Sequence, residues 1–264
     1  MTMGNGRRDL RAPVEGPREV ADVADAVNRL ADSLARSEAR QRDFLLSVSH
    51  ELRTPLTAVS GFAESLADGV VTGPEVPRVG RLVLDEAQRL DRLVRDLLDL
   101  ARLGADDFRL DIADVDLTAL VGAAAQVWHP RCAARHVPYH VEAPPHPVVV
   151  RADPRRLRQV VDGLTENALR VTPEGRPIVL SLGVAPGLAV LRVRDGGPGL
   201  ADADYQVAFQ RGVLHDRYRG DRPVGTGVGL ALAYGLVTRM GGTIQAGPAP
   251  EGGACFTITL RTAR

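Results

Sequence analysis

Residues 44–56 read Phe44-Leu45-Leu46-Ser47-Val48-Ser49-His50-Glu51-Leu52-Arg53-Thr54-Pro55-Leu56, a single histidine with a carboxylate beside it in an amphipathic stretch. The apolar positions Leu45, Val48, Leu52, Val59, Phe62 and Leu66 recur mostly at steps of three and four, which lines one face of a helix. His50 stands two residues from both Val48 and Leu52, roughly 200° of helical rotation off that seam. Its imidazole is expected to face solvent and an incoming partner. Glu51 is placed to hold one ring nitrogen protonated and leave the other as a nucleophile. Thr54 follows by four residues and puts its hydroxyl on the same face. Pro55 has no N–H and leaves the Glu51 carbonyl without its helical donor, which predicts a bend just past the histidine. The pattern points to a histidine that is itself a substrate.

Working outward, Val20, Val23, Val27, Leu30 and Leu34 form a heptad-like stripe that can continue into the His50 helix. Residues 1–17 before it are rich in Gly, Pro and Arg and read as an irregular connector. On the other side, Ala67-Asp68-Gly69-Val70-Val71-Thr72-Gly73-Pro74 carries turn residues and ends the helix. A second helix follows, with Val79, Val83, Leu90, Leu93, Leu97 and Leu100 as its apolar stripe between charged positions. Two helices joined by a short loop cannot bury both stripes alone, and dimerisation into a four-helix bundle is the expected solution. Gly104 to Asp107 marks a boundary. Beyond it the pattern predicts a helix over 116–135, strands near 137–142 and 148–152, and a helix capped by Asp153 with Pro154 at its first position. Strands near 177–184 and 187–194, an irregular stretch, a helix near 227–241 and strands near 242–247 and 254–262 complete the order. The expected fold class is α plus α/β sandwich, a helical hairpin followed by helices on one face of a mixed sheet.

Composition bounds the function. The 264 residues are enough for two small domains with their own cores. Acidic and basic residues balance at 33 each, so no net field points to nucleic acid or an anionic membrane. Every basic residue is Arg, which with abundant Ala, Gly, Pro and Val fits a GC-rich genome and says little about function. Cys132 and Cys255 lie far apart, so no disulfide framework is expected and a reducing cytoplasm is the simpler setting. No apolar run reaches the ~18 residues of a membrane span and no signal peptide opens the chain, so the sequence reads as soluble. His129, Cys132, His136 and His140 have spacings that can hold zinc. They straddle a helix and the start of a strand, and Pro130 and Pro138 interrupt a single ligand face, so a metal site there is not expected. His146 and His215 read as loop residues.

The run Ser49 to Thr57 closely resembles the phospho-acceptor box of the sensor histidine kinases of bacterial two-component systems. Three later motifs resemble that family's ATP-binding domain, a GHKL-type α/β sandwich of Bergerat type. Arg156 to Pro173 resembles the N box, with Asn167 on the family's Mg2+ ligand and Arg170 on its usual Lys. Asn is a fitting oxygen donor for a hard, partly hydrated cation, and Arg is a planar fork where Lys is a point charge. The N box departs twice from the family, with Gly163 at an earlier position usually Asn and Val171 where an aromatic is common. Asp195-Gly196-Gly197-Pro198-Gly199 satisfies Asp-x-Gly-x-Gly about thirty residues after Asn167. The resemblance implies that Asp195 accepts a hydrogen bond from the adenine amine and that Gly197 and Gly199 let backbone approach the base. Gly225-Thr226-Gly227-Val228-Gly229 opens an apolar helix, where glycine-freed amides suit a triphosphate. The polar stretch His215 to Arg222 fits a mobile lid. Phe209 resembles the lid-flanking aromatic, with Arg211 after it, and Gly212 stands in for a second aromatic, which leaves a loosely packed lid.

The resemblance implies a kinase that autophosphorylates on His50 with ATP and Mg2+, with Glu51 assisting, and passes the phosphoryl group to the receiver domain of a response regulator. Glu51-Leu52-Arg53-Thr54 also fits the pattern linked to dephosphorylating that regulator through Thr54. The expected organisation is a connector at 1–17, a HAMP-like second helix at 18–40, a dimerisation and phosphotransfer domain at 41–104, and an ATP-binding domain at 105–264. Arg18 to Leu30 carries the HAMP resemblance, with Ala21 where the family usually has Gly. Such relays follow a transmembrane helix, so the chain is expected to be the cytoplasmic portion of an inner-membrane sensor, homodimeric and anchored through a segment absent here. Two other readings stand beside this one. One is a dimeric signalling module whose degenerate N box binds nucleotide poorly. The other is a DNA-repair or topoisomerase-type ATPase of the same fold, against which the His50 hairpin and the lack of a basic groove argue; no nucleic-acid partner is expected.

Overall fold

The computed structural model describes residues 17–103, 108–218, 220 and 227–263; several side chains within helices, including those of His50, Glu51 and Asp216, lie outside the description. The chain divides into two units, Met1–Glu51 and Leu52–Arg264. Helix α1 spans Arg18–Ala67 with Pro55 inside it, and α2 spans Glu75–Leu103. The turn between them uses Gly69 at φ 68° and Gly73 at φ 61°, a left-handed backbone that glycine adopts without a Cβ clash. Along α2, Val79, Leu93 and Leu100 of the expected stripe are buried, while Leu82, Leu84, Val94 and Leu98 remain exposed in the single chain. Among the described residues, no helix is long and apolar enough to cross a membrane.

The rest of the second unit is the α/β sandwich. Its elements are β1 (Ala113–Asp116), α3 (Leu117–Ala133), β2 (Tyr139–Glu142), β3 (Val149–Ala152), α4 (Pro154–Val171), β4 (Ile178–Ala185), β5 (Leu188–Asp195), α5 (Asp202–Tyr205), α6 (Val213–Tyr218), α7 (Gly229–Arg239), β6 (Thr243–Pro248) and β7 (Ala254–Arg261). The main sheet runs β2-β4-β5-β7-β6, parallel between β2 and β4 and antiparallel elsewhere, which is the mixed sheet the sequence predicts. A separate ribbon pairs β1 with β3. On β7, Ala254, Phe256, Ile258 and Leu260 are buried and their neighbours less so, the period-two pattern of a strand with one face in the core. Helices α3, α4 and α7 pack against the sheet.

Local chemistry accounts for these elements. Asp153 Oδ1 accepts from the amides of Arg155 and Arg156 at 3.0 and 3.1 Å, and Pro154 follows at the first helical position, so α4 starts where capping rules place it. Asp116 caps α3 in the same way, accepting from Thr118 N and Ala119 N. Three elements depart from the sequence expectation. Strand β1 lies in a stretch whose two aspartates look like loop, and pairing with β3 makes it a strand with Val115 buried. The stretch read as irregular contains α5 and α6, both too short to show helical periodicity. His215, read as a loop residue, sits in α6 and is buried.

Candidate functional site

Strand β5 delivers Asp195 to its C-terminal end, where the residue is 2% exposed. Its Oδ1 accepts from the backbone amides of Gly197 at 2.9 Å and Ala254 at 3.2 Å, and its carbonyl accepts from Gly253 N at 3.1 Å. A buried carboxylate needs such donors, and here they also fix its orientation. The glycines around it are sterically required. A Cβ at Gly253 would lie 2.1 Å from Asp195 Oδ1, and one at Gly197 would lie 3.1 Å from both the carbonyl and a methyl of Val171. Gly199 turns the chain at φ 67°. Arg176 closes the back of this turn, donating to the carbonyls of Gly196 and Glu251 at 3.3 and 2.8 Å.

Asn167 and Arg170 lie on the C-terminal half of α4, both half-buried, and α4 packs against α7. Val171, the last residue of α4, meets Gly197, so the N box and the Asp195 turn share a wall. Gly163 lies one turn before Asn167 and is exposed, with nothing within 4 Å of the position its Cβ would take.

Helix α7 begins at Gly229 after Val228, which contributes no side-chain cap to its first amides. Gly227 has φ 69°, while Gly225 and Thr226 lie outside the described residues. Phe209 packs on Tyr234 of α7 and Phe256 of β7, with ring centroids 5.6 and 6.2 Å apart. Gly212, where an aromatic was expected by resemblance, has φ 75° and donates its N–H to Gly227 O at 3.3 Å. Its Cα lies 3.0 Å from where a Gly227 Cβ would stand, so the close approach of the two turns excludes a side chain at Gly227, while the left-handed backbone at Gly212 disfavours any residue with a Cβ there. In the described part of the expected lid, α6 is held by Arg217 and Tyr218, both of which bond the buried Asp204. Of the expected lid, His215 to Arg222, residues 219, 221 and 222 lie outside the description.

The structure thus brings Asn167, Arg170, Asp195, Gly197, Gly199, Gly227 and Gly229 into one packed unit around α4, α7 and the end of β5. The backbones of His50 and Glu51 are helical and their side chains are not described; Thr54 is exposed on α1. Sequence reasoning missed the second support of Asp195, the amide of Ala254, although the Gly252-Gly253 pair before β7 was a visible sign of close backbone approach. It also missed Asp204, which looks like any loop carboxylate. Of the zinc spacing, His129 stands edge-on to Tyr139 with Nδ1 3.0 Å from Ala125 O, and Cys132 is buried with its thiol pushed up to about 11 by desolvation, countered in part by Arg135. Among the described residues no three such groups gather as metal ligands.

Comparison with known proteins adds the following. Residues 40–106 match the His Kinase A phospho-acceptor domain, and residues 152–264 match the histidine kinase-, DNA gyrase B- and HSP90-like ATPase family. The signal transduction histidine-protein kinase AfsQ2 of Streptomyces coelicolor is 35% identical, over 98% of this chain and 50% of its own length. The solved structure of the Acinetobacter baumannii histidine kinase AdeS is 28% identical with a TM-score of 0.63, covering 81% of this chain and 98% of that one. Full-length ShkA, solved in complex with AMPPNP, is 30% identical with a TM-score of 0.61, covering 83% of this chain and 45% of that one. The chain spans about half the length of the curated relatives it matches.

Proposed function

Because this chain belongs to the sensor histidine kinases of bacterial two-component systems, we propose that it autophosphorylates on His50 with MgATP and passes the phosphoryl group to an aspartate on a response-regulator receiver domain. The observation that carries this reading is the Asp195 carboxylate, buried and oriented by two amides beside glycines packed too closely for side chains. Asp195 accepts from the exocyclic amine of adenine, while Gly197 and Gly199 keep side chains off the base. The first turn of α7, with Gly227 and Gly229, receives the phosphates, as the resemblance implies for Gly225 also, and Arg170 adds charge. Asn167 is a half-exposed neutral oxygen donor on α4, a chemistry that fits Mg2+ kept partly hydrated on phosphate oxygens. Bound there, the ion neutralises phosphate charge.

In the transfer step one ring nitrogen of His50 attacks the γ-phosphorus. The bond to the β-bridging oxygen breaks, ADP leaves, and Glu51 takes the proton from the other ring nitrogen. The phosphoryl group then moves to a regulator aspartate, and Thr54 orients water for later hydrolysis of that acyl phosphate. In this reading residues 1–17 connect, 18–40 act as a HAMP-like second helix, 41–104 dimerise and carry the phosphotransfer histidine, and 105–264 bind ATP. The exposed apolar residues of the hairpin, among them Leu46, Leu56, Leu84 and Leu98, support a homodimer that buries them in a four-helix bundle. The greater length of the relatives supports a longer sensor, and the HAMP-like stretch Arg18 to Leu30 supports a membrane-anchored one of which this chain is the cytoplasmic portion.

A second reading, a dimeric module impaired in nucleotide binding, is favoured by Gly163, which offers no ligand and whose Cβ direction is open space. One titration separates the two. The parent should bind ATP calorimetrically in a Mg2+-dependent way, and Asp195→Asn should weaken binding by on the order of 1.5–3 kcal/mol because the amine loses a charged acceptor. No measurable binding by the parent supports the impaired module, and equal affinity in the variant removes Asp195 from the site.

A further inference from the structure

Asp204 is a carboxylate with no part in the site described above, yet it is 4% exposed. Burying a charge is costly unless it is paired, and pairing alone rarely makes it better than an apolar residue. Its partners give it a place between the two glycine turns. Arg217 Nη1 and Tyr218 Oη, both on α6, bond its two oxygens, the tyrosine at 2.6 Å. The same Tyr218 hydroxyl accepts from Ala201 N at 3.1 Å, just past the Asp195 turn, and Tyr205 Oη accepts from Leu200 N at 3.2 Å. At the other end of α6, Gly212 donates to Gly227 O, and His215 Cβ lies 3.4 Å from the Cβ position of Gly227. A continuous polar path thus runs from the loop after Gly199 through Tyr218 and Asp204 into α6, and from α6 onto the turn that opens α7.

We propose that Asp204 is a positioning residue that, through Arg217 and Tyr218, couples the adenine-side turn at 195–201 to the phosphate-side turn at Gly227–Gly229. This rests on the nucleotide reading above and deepens it. Neither Asp204 nor its two partners touches nucleotide in this scheme. Their effect is to set the two turns at one separation, so that a ligand spanning both gains and a ligand using one does not. Tyr218 keeps its ring packing when its hydroxyl is removed, and Arg217 has a side chain 52% exposed, so neither variant opens the core.

The test titrates the parent, Tyr218→Phe and Arg217→Gln with MgATP and, separately, with adenosine, which reaches only the base side. The expected result is an ATP Kd raised about fivefold or more in each variant, with adenosine Kd within about twofold of the parent. Asp204→Asn combined with Arg217→Gln should cost little more than either alone, because both break one link; preserved adenosine binding reports that the buried variant is folded. An ATP Kd raised less than about fivefold in either single α6 variant, or an adenosine Kd that rises with it beyond about twofold, overturns the coupling. A parent that binds neither ligand overturns the nucleotide reading itself, and is distinguished by that from a failure of the coupling alone.

Discussion

Thr54 stands on α1 four residues past His50 with its side chain exposed, on the helix face where one turn separates neighbours. If its hydroxyl orients the water that hydrolyses a regulator phosphoaspartate, Thr54→Ala should slow loss of phosphate from the regulator while labelling of His50 continues. The check is the dephosphorylation rate of the cognate receiver domain with ADP present; equal rates for variant and parent remove Thr54 from the step. Asp96 shows a different residue-level effect. Burial against α4 is the main cause that raises its carboxyl above the ordinary aspartate value. Gln159, whose amide donates to Asp96 Oδ1 at 3.1 Å, opposes the rise, and nearby Asp99 and Glu166 add to it. A carboxylate raised by folding contributes stability below its unfolded value and loses that contribution as pH rises through its folded value. Asp96→Asn keeps an oxygen for Gln159 and removes the charge, so its Tm should exceed the parent's at about pH 7.5 and the advantage should shrink toward about pH 4. A difference that does not change with pH contradicts the assignment.

At the scale of elements, α4 is the helix on which most depends. It carries the N box on one side, and near its start Arg156 meets Asp99 of α2 at 2.5 Å. Gly163 sits in its middle, exposed and facing open space, where glycine costs helix stability without a turn or close approach to require it. Gly163→Ala should stabilise the fold by about 0.5–1 kcal/mol and raise Tm by about 1–4 °C in a thermal melt; a lower Tm would mean that the position is constrained by something other than helix propensity. The sequence made α4 legible because Asp153-Pro154 is a start signal with a mechanism, and it made β4, β5 and β7 legible because eight-residue apolar strands leave a long record. Four-residue β1 and α5 left none. Asp195 was visible only because a strand and three glycines surround it, and its second amide, from Ala254, arrives from β7, fifty-nine residues away. Asp204 was invisible for the same reason: its partners on α6 become partners only once the chain folds back.

At the scale of the molecule, a long helical leader and hairpin present apolar residues that one chain leaves exposed, while the sandwich holds a buried carboxylate, the start of α7 and a set of obligatory glycines, which we read as a nucleotide site. The division of labour this implies is that one part of the chain holds ATP and another supplies the histidine that receives its phosphate. The two parts are therefore expected to fail separately. The measurement that tests this most directly is incubation of the parent and His50→Gln with γ-labelled MgATP, followed by acid and base treatment of the labelled protein and titration of both with unlabelled ATP. The account predicts acid-labile, base-stable label on the parent, none on His50→Gln, and ATP affinities within about twofold of each other. Acid-labile phosphate on His50→Gln, or a parent that binds MgATP yet never acquires label, would contradict it.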